Sequence, residues 1–237
     1  MRRALALALS CLALASCTPP VLVAPEGRET VIRSLSRQSR YLRVAVYVSP
    51  FFGDTGRVLL SDRPVEEISV RDGPGGKPLT PTPAQRVLMP GTPVFVDTVQ
   101  FPTGAVLWSR PVATPRHHPW LLVWVDGEPR PAVILLSADA GRAEDLIAEA
   151  GRLLTEDDLT PLLRELPQAQ RDAIRKKDVV DGMSRSAVTM AWGQPDRIVM
   201  DRPTGTEEWS WTGSDRKAMF QDDRLARFTR RGGSPGR

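Results

Sequence analysis

The hydrophobic period turns from strand-like to helical partway along this chain, and where it turns constrains the fold class. Between about Tyr41 and Leu136, short runs rich in Val, Leu and aromatic residues alternate with clusters of Gly, Pro and Asp. Residues 42–48, 67–71, 93–100, 105–108, 120–125 and 132–136 read as strands, with turns at 53–56, 72–76, 90–92 and 126–129. From Ala138 the period becomes helical. Leu146, Ile147, Ala150, Leu153 and Leu154 recur at one-turn spacings, as do Leu159, Leu162, Leu163 and Leu166. Thr155 and Asp158 fit an N-cap box between these two stripes, Pro167 breaks the second, and 168–177 supplies another helical turn or two. The expected class is α+β. A small antiparallel β-barrel or sandwich would cover 41–137 and connecting helices 138–166. A domain of helices on an antiparallel sheet would cover 167–230, with 231–237 a disordered tail.

The last domain has the clearest local grammar. Gly182 ends one element and Ser184 can cap the next. Ala187, Val188, Ala191 and Trp192 lie one turn apart, Gly193 stops the helix through a left-handed C-cap, and Pro195 forbids its continuation. Residues 197–200, 206–212, 217–221 and 225–229 then read as an antiparallel meander. Trp209 and Trp211 share a face, as do Ala218 and Phe220, and Ala226 and Phe228. The order Gly182-Met183-Ser184, then Trp192-Gly193-Gln194-Pro195, then Glu207-Glu208-Trp209-Ser210-Trp211 resembles the SmpA/OmlA-type, or BamE-like, lipoprotein domain. That resemblance covers about 168–230 and implies two helices on a three-stranded antiparallel sheet. Its best-known member is an accessory subunit of the outer-membrane β-barrel assembly machine. In the β-rich half, 89–97 (Met89-Pro90-Gly91-Thr92-Pro93 onward) resembles the opening of a bacterial SH3-like strand pair.

The first residues bear on location. Arg2 and Arg3 precede an apolar run from Ala4 to Ala15, too short to span a bilayer, as in a signal peptide over 1–16. The run ends in Leu14-Ala15-Ser16-Cys17, which resembles the bacterial lipobox, and the resemblance implies cleavage before Cys17 and a covalent lipid on its thiol. By the same resemblance, Thr18 where retained lipoproteins carry aspartate implies the periplasmic face of the outer membrane, with inner-membrane retention the open alternative. The Pro-rich start of 17–40 reads as a lipid-anchored tether. Cys11 would leave with the signal, so no thiol remains for a disulfide or for cysteine chemistry.

Charge argues against nucleic acid. The formal net charge is +4, and loss of Arg2 and Arg3 lowers it to +2. Basic residues are interspersed with acids, and the densest run, Arg175-Lys176-Lys177, reads as a solvated helix end. No catalytic constellation emerges, and the chain is read as non-enzymatic and without cofactor apart from the lipid on Cys17. The Gly-rich stretch at 73–78 lacks Walker spacing and reads as a hairpin loop, and adjacent His117 and His118 cannot chelate like an i, i+4 pair. Glu66-Glu67 and Glu207-Glu208 would point to opposite faces of their strands. Six tryptophans are the remaining binding candidates, with core packing their default role. Trp192, Trp209 and Trp211 are the candidate anchors for a protein partner. The expected function is an outer-membrane-anchored periplasmic lipoprotein that binds other envelope proteins, in outer-membrane protein assembly or envelope maintenance. Two alternatives stay open: a module that binds or cleaves peptidoglycan, and an inhibitor-like protein-binding module.

Overall fold

The structure is a computed structural model that describes residues 21–73 and 76–230. Cys17, the signal segment and the tail at 231–237 lie outside the described residues. The chain is α+β, as the change of period implied, but its sheets are open and no barrel closes. An eight-stranded sheet runs in the order β10-β1-β7-β8-β9-β3-β2-β6. Its strands are β1 Gln38–Leu42, β2 Val46–Phe51, β3 Asp54–Ser61, β6 Arg86–Leu88, β7 Pro93–Gln100, β8 Trp120–Val125, β9 Ala132–Leu135 and β10 Leu154–Thr155. Between β3 and β6 in the chain, β4 Val70–Arg71 and β5 Pro78–Leu79 form a separate antiparallel two-stranded ribbon. All pairings in the large sheet are antiparallel except that of β3 with β9.

Two helices cover one face of this sheet, and one of them lies in the expected tether. Helix α1, Pro25–Leu35, begins with proline at its first position, where a missing amide costs nothing. Val23, Val31 and Leu35 are buried with Val46, Val58, Val96 and Leu121 in the main core. The Pro-rich composition of 17–25 signalled an extended linker, whereas the apolar positions that follow are spaced for a helix and recruit it into the body. The second covering helix, α3 Ala143–Leu153, contributes Leu146, Ala150 and Leu153 to the same core. The main core thus extends past the expected boundaries at 41 and 137, taking in α1, α3 and β10.

Most strand ends follow the alternation of apolar residues, and the exceptions have local causes. The run 42–48 is split, because Arg43 turns its amide to Leu153 O (2.7 Å) and Ala45 turns its own to Met190 O (2.7 Å). The four apolar residues 105–108 form α2, Gly104–Ser109, since so short a run fits a helix turn as well as a strand. Asp97 is an extra residue in β7, shifting the register with β8, so that Val96 and Val99 both point into the core. On the other face, Phe51, Leu59, Trp120 and Val133 form a small second core. Arg110 closes it: its guanidinium lies 3.9 Å from the Trp120 ring centroid and donates to the carbonyls of Arg116, His118 and Gln100 at 2.6, 2.7 and 2.7 Å.

The third layer of chain begins with two short helices, α4 Thr160–Glu165 and α5 Gln168–Arg175, followed by α6 Arg185–Trp192. Asp158, rather than Thr155, accepts the Thr160 amide (2.8 Å) at the start of α4, while Thr155 pairs with Tyr41 in the large sheet. Ser184 caps α6 by accepting the Ala187 amide (3.2 Å). A four-stranded antiparallel sheet follows, one strand more than the three that the resemblance implied: β11 Arg197–Asp201, β12 Thr206–Ser210, β13 Lys217–Gln221 and β14 Arg224–Thr229. A register shift in the β13–β14 pairing makes Ala226 an extra residue. Leu225 and Phe228 therefore face the core, and Ala226, expected to share the Phe228 face, is exposed.

Candidate functional site

Strands β3 and β9 run parallel but pair only at Val58–Ala132 and Leu59–Val133. Beyond those residues β3 stays with β2 and β9 with β8, so the carboxyl ends of the two strands part. Crevices outside the carboxyl ends of parallel strands, where neighbouring strands part, are where open sheets bind ligands. A cleft of about 870 Å3 opens at this place. Its floor is Leu59, Leu60, Ile134 and Leu136, one wall is the α3 face carrying Asp145, Ala148, Glu149 and Arg152, and the other is the segment from Asp62 to Val70.

Each polar group here is positioned by a different element. Glu149, on α3, accepts the Ser137 amide (2.8 Å) just past the end of β9. Burial pushes its carboxyl above the ordinary carboxylate range, opposed by that amide and by Arg152 and Arg63. His118 enters from the Pro-rich loop before β8, and its Nδ1 sits 3.0 Å from Leu136 O. With Nδ1–H donating to that carbonyl, Nε2 is left as the ring acceptor. Burial holds the imidazole below its ordinary pKa, against the pull of the Leu136 carbonyl. Neighbouring His117 has a buried Nδ1 without a hydrogen-bond partner among the described residues, and its ring covers Gly73.

The mouth of the cleft is built by both sheets. Asp196, just before β11, accepts from Arg152 (3.2 Å) and Arg63 (3.5 Å) of the first body and from the Thr212 amide (2.6 Å) of its own. Arg152 also donates to Gln194 O (3.0 Å). Nearby, Arg216 pairs with Glu67 at 3.1 Å, with both side chains almost wholly buried, and lies over the rings of Trp192 and Trp211. Lys177 donates to Ala45 O at 2.7 Å across the same junction. An apolar floor with a rim of arginines and carboxylates suits a segment of polypeptide better than a small apolar molecule. Among the described residues, no group of three or more His, Cys, Asp or Glu side chains is placed to hold a metal ion.

The sequence pointed elsewhere. Cys17 lies outside the described residues. Trp192, Trp209 and Trp211 are 2%, 5% and 5% exposed, so these expected anchors are interior. Trp192 packs edge to face on Trp211 and Phe228, Trp211 likewise on Trp209, and Trp209 lies tilted against Phe220, in the core of the second body that their alternation along and just past β12 and their place on α6 demand. Trp108 and Trp124 are the exposed tryptophans instead. Lys177, read within a solvated helix end, is buried. The cleft itself left no local signal: its residues come from β3, β9, α3 and the loop before β11, and only pairing brings them together. No known protein family, curated protein or solved structure matches the chain.

Proposed function

We propose that this is a non-enzymatic lipoprotein, anchored through Cys17 at the periplasmic face of the outer membrane, that holds a segment of another envelope protein in the cleft beyond β3 and β9. The parting of those two strands carries the reading, since it opens a long cleft with an apolar floor and a charged rim between α3 and the segment from Asp62 to Val70, a surface that an extended segment can use. The polar side chains there support binding over chemistry: Glu149, His118, Arg152 and Arg216 are each tied to a structural partner. The BamE-like resemblance of 168–230 supports an envelope setting, and the loops before β11 and β13 in that segment bring Asp196 and Arg216 against Arg152 and Glu67 of the first body. Val23 is already buried, so six residues from Cys17 reach at most about 20 Å and would hold the body close to the lipid surface.

A photoreactive residue placed at Ala148 or Ser69 of the full chain in cells tests this. The expected result is a covalent adduct with one envelope protein, absent when the probe sits at Trp124 and lost on Cys17→Ser together with membrane association. Adducts formed equally from Trp124, or none from either cleft position, would overturn the protein-binding reading. Pelleting of the chain with purified cell wall would point to the peptidoglycan alternative.

A further inference from the structure

Among the described residues after Gln168, the large apolar side chains left exposed are three consecutive ones, Ile198, Val199 and Met200, at 53%, 45% and 61%. All five residues of β11 are exposed, and β11 is the edge of its sheet, bonded only to β12. A free edge with apolar side chains is a template for another strand, and folded chains ordinarily blunt such edges with charge, bulges or cover. The opposite edge is treated that way: β14 has the extra residue Ala226 and carries Arg224 and Arg227. β11 instead holds its charges at its two ends, Arg197 first and Asp201 last, and neither forms an ion pair among the described residues.

We infer that β11 is a self-complementary edge through which two copies of this chain dimerise, joining their four-stranded sheets into one antiparallel sheet of eight strands. The order of charges selects both direction and register. In an antiparallel pairing centred on Val199, Arg197 stands opposite Asp201 of the partner subunit, Ile198 opposite Met200 of the partner subunit, and Val199 opposite its own symmetry mate. A register centred one residue away leaves both charges without a partner. A parallel pairing sets like charges side by side and does not close a two-fold. A register centred on a residue also pairs positions of equal parity, so outward-turned amides of one copy meet outward-turned carbonyls of the other whichever alternate set faces the edge. The contact is isologous and uses up both edges, so assembly stops at the dimer. On one face, Arg197, Val199 and Asp201 extend the polar surface of Thr206, Glu208 and Ser210. On the other, Ile198 and Met200 cover their counterparts. This inference does not depend on the cleft or on the lipid.

The full chain in detergent solution provides the test. On the two-fold axis, the Cα atoms at position 199 would lie about 4.5–5.5 Å apart, within disulfide reach, whereas position 208 on β12 would lie roughly 14 Å from its mate, beyond it. Under mild oxidant, Val199→Cys is expected to form a covalent homodimer, and Glu208→Cys and the parent chain, with its own cysteines, are not. In sedimentation, Arg197→Asp and Asp201→Arg each turn two attractive pairs into two repulsive ones and should weaken dimerisation by about tenfold or more. Mixing the two variants restores opposite charges at both ends, and recovery of a heterodimer in the mixture is the expected signature of this register. A parent chain that stays monomeric, charge variants that dimerise like the parent, or a Val199→Cys chain that crosslinks only to a different protein would each overturn the inference.

Discussion

Lys177 occupies a position that its chemistry disfavours twice. It follows α5 with φ of 56°, and the amides of Lys177 and Asp178 bond back to Ile174 O and Ala173 O at 2.9 Å each, a Schellman ending whose left-handed residue is usually glycine. Its ammonium is also buried, against Ala45 O and over the Tyr47 ring. Burial pushes its pKa down to about 7, with the Asp62 carboxylate acting the other way. An unfolded lysine titrates at about 10.4, so between about pH 7 and 10 the unfolded chain holds a proton that the folded chain has released. Stability therefore rises with pH through that window, by up to about 1.4 kcal/mol per unit, and is lowest below it, where the folded protein buries the charged form. Urea unfolding across this range should show the climb in the parent and a flattened profile in Lys177→Met. An equal climb in the variant would assign it to other groups.

At the scale of elements, α6 was legible almost residue by residue because its signals are local. Ser184 caps it and Gly193 ends it, as their positions in the sequence implied. Gly193 differs in conformation from the expected left-handed cap: at φ 85° and ψ 179° it lies in a region essentially reserved for glycine. A Cβ there would also meet Asp62 Oδ2 of the first body at 2.9 Å, a collision that sequence could not foresee. Gly193→Ala should cost about 3 kcal/mol or more in chemical unfolding, from dihedral strain and displacement of Asp62. In an Asp62→Ala background the same change should cost only the dihedral part, about 1–3 kcal/mol, and equal costs in both backgrounds would remove Asp62 from the account. Strands β7 and β8 were equally legible, whereas α2 was not, since four apolar residues carry no decisive period.

For the whole molecule, the consequential departure is α1. A chain starting at Ser36 would remove Val23, Val31 and Leu35 from the main core. At roughly 1.5–3 kcal/mol for each of the three buried side chains, a loss of about 4.5–9 kcal/mol matches much of the stability of an ordinary domain. That truncation should abolish cooperative thermal unfolding followed by circular dichroism, while a chain starting at Val21 keeps it. Equal melts for the two would return 21–35 to the role of a tether.

Local chemistry determined what the sequence could determine: the α+β class, the bounds of β7 and β8, the cap and stop of α6, and the meander after it. These depend on side-chain period and on turn and cap residues whose effects reach only a few positions. Tertiary structure alone decided that the large sheet stays open, that α1 and α3 share its cover, that Trp192, Trp209 and Trp211 turn inward, and that β3 and β9 part above a cleft. Each of those depends on which strands pair and which faces meet, and pairing joins residues up to 149 positions apart, as in the Glu67–Arg216 bridge. No window of sequence spans that distance, so burial and site were settled by packing.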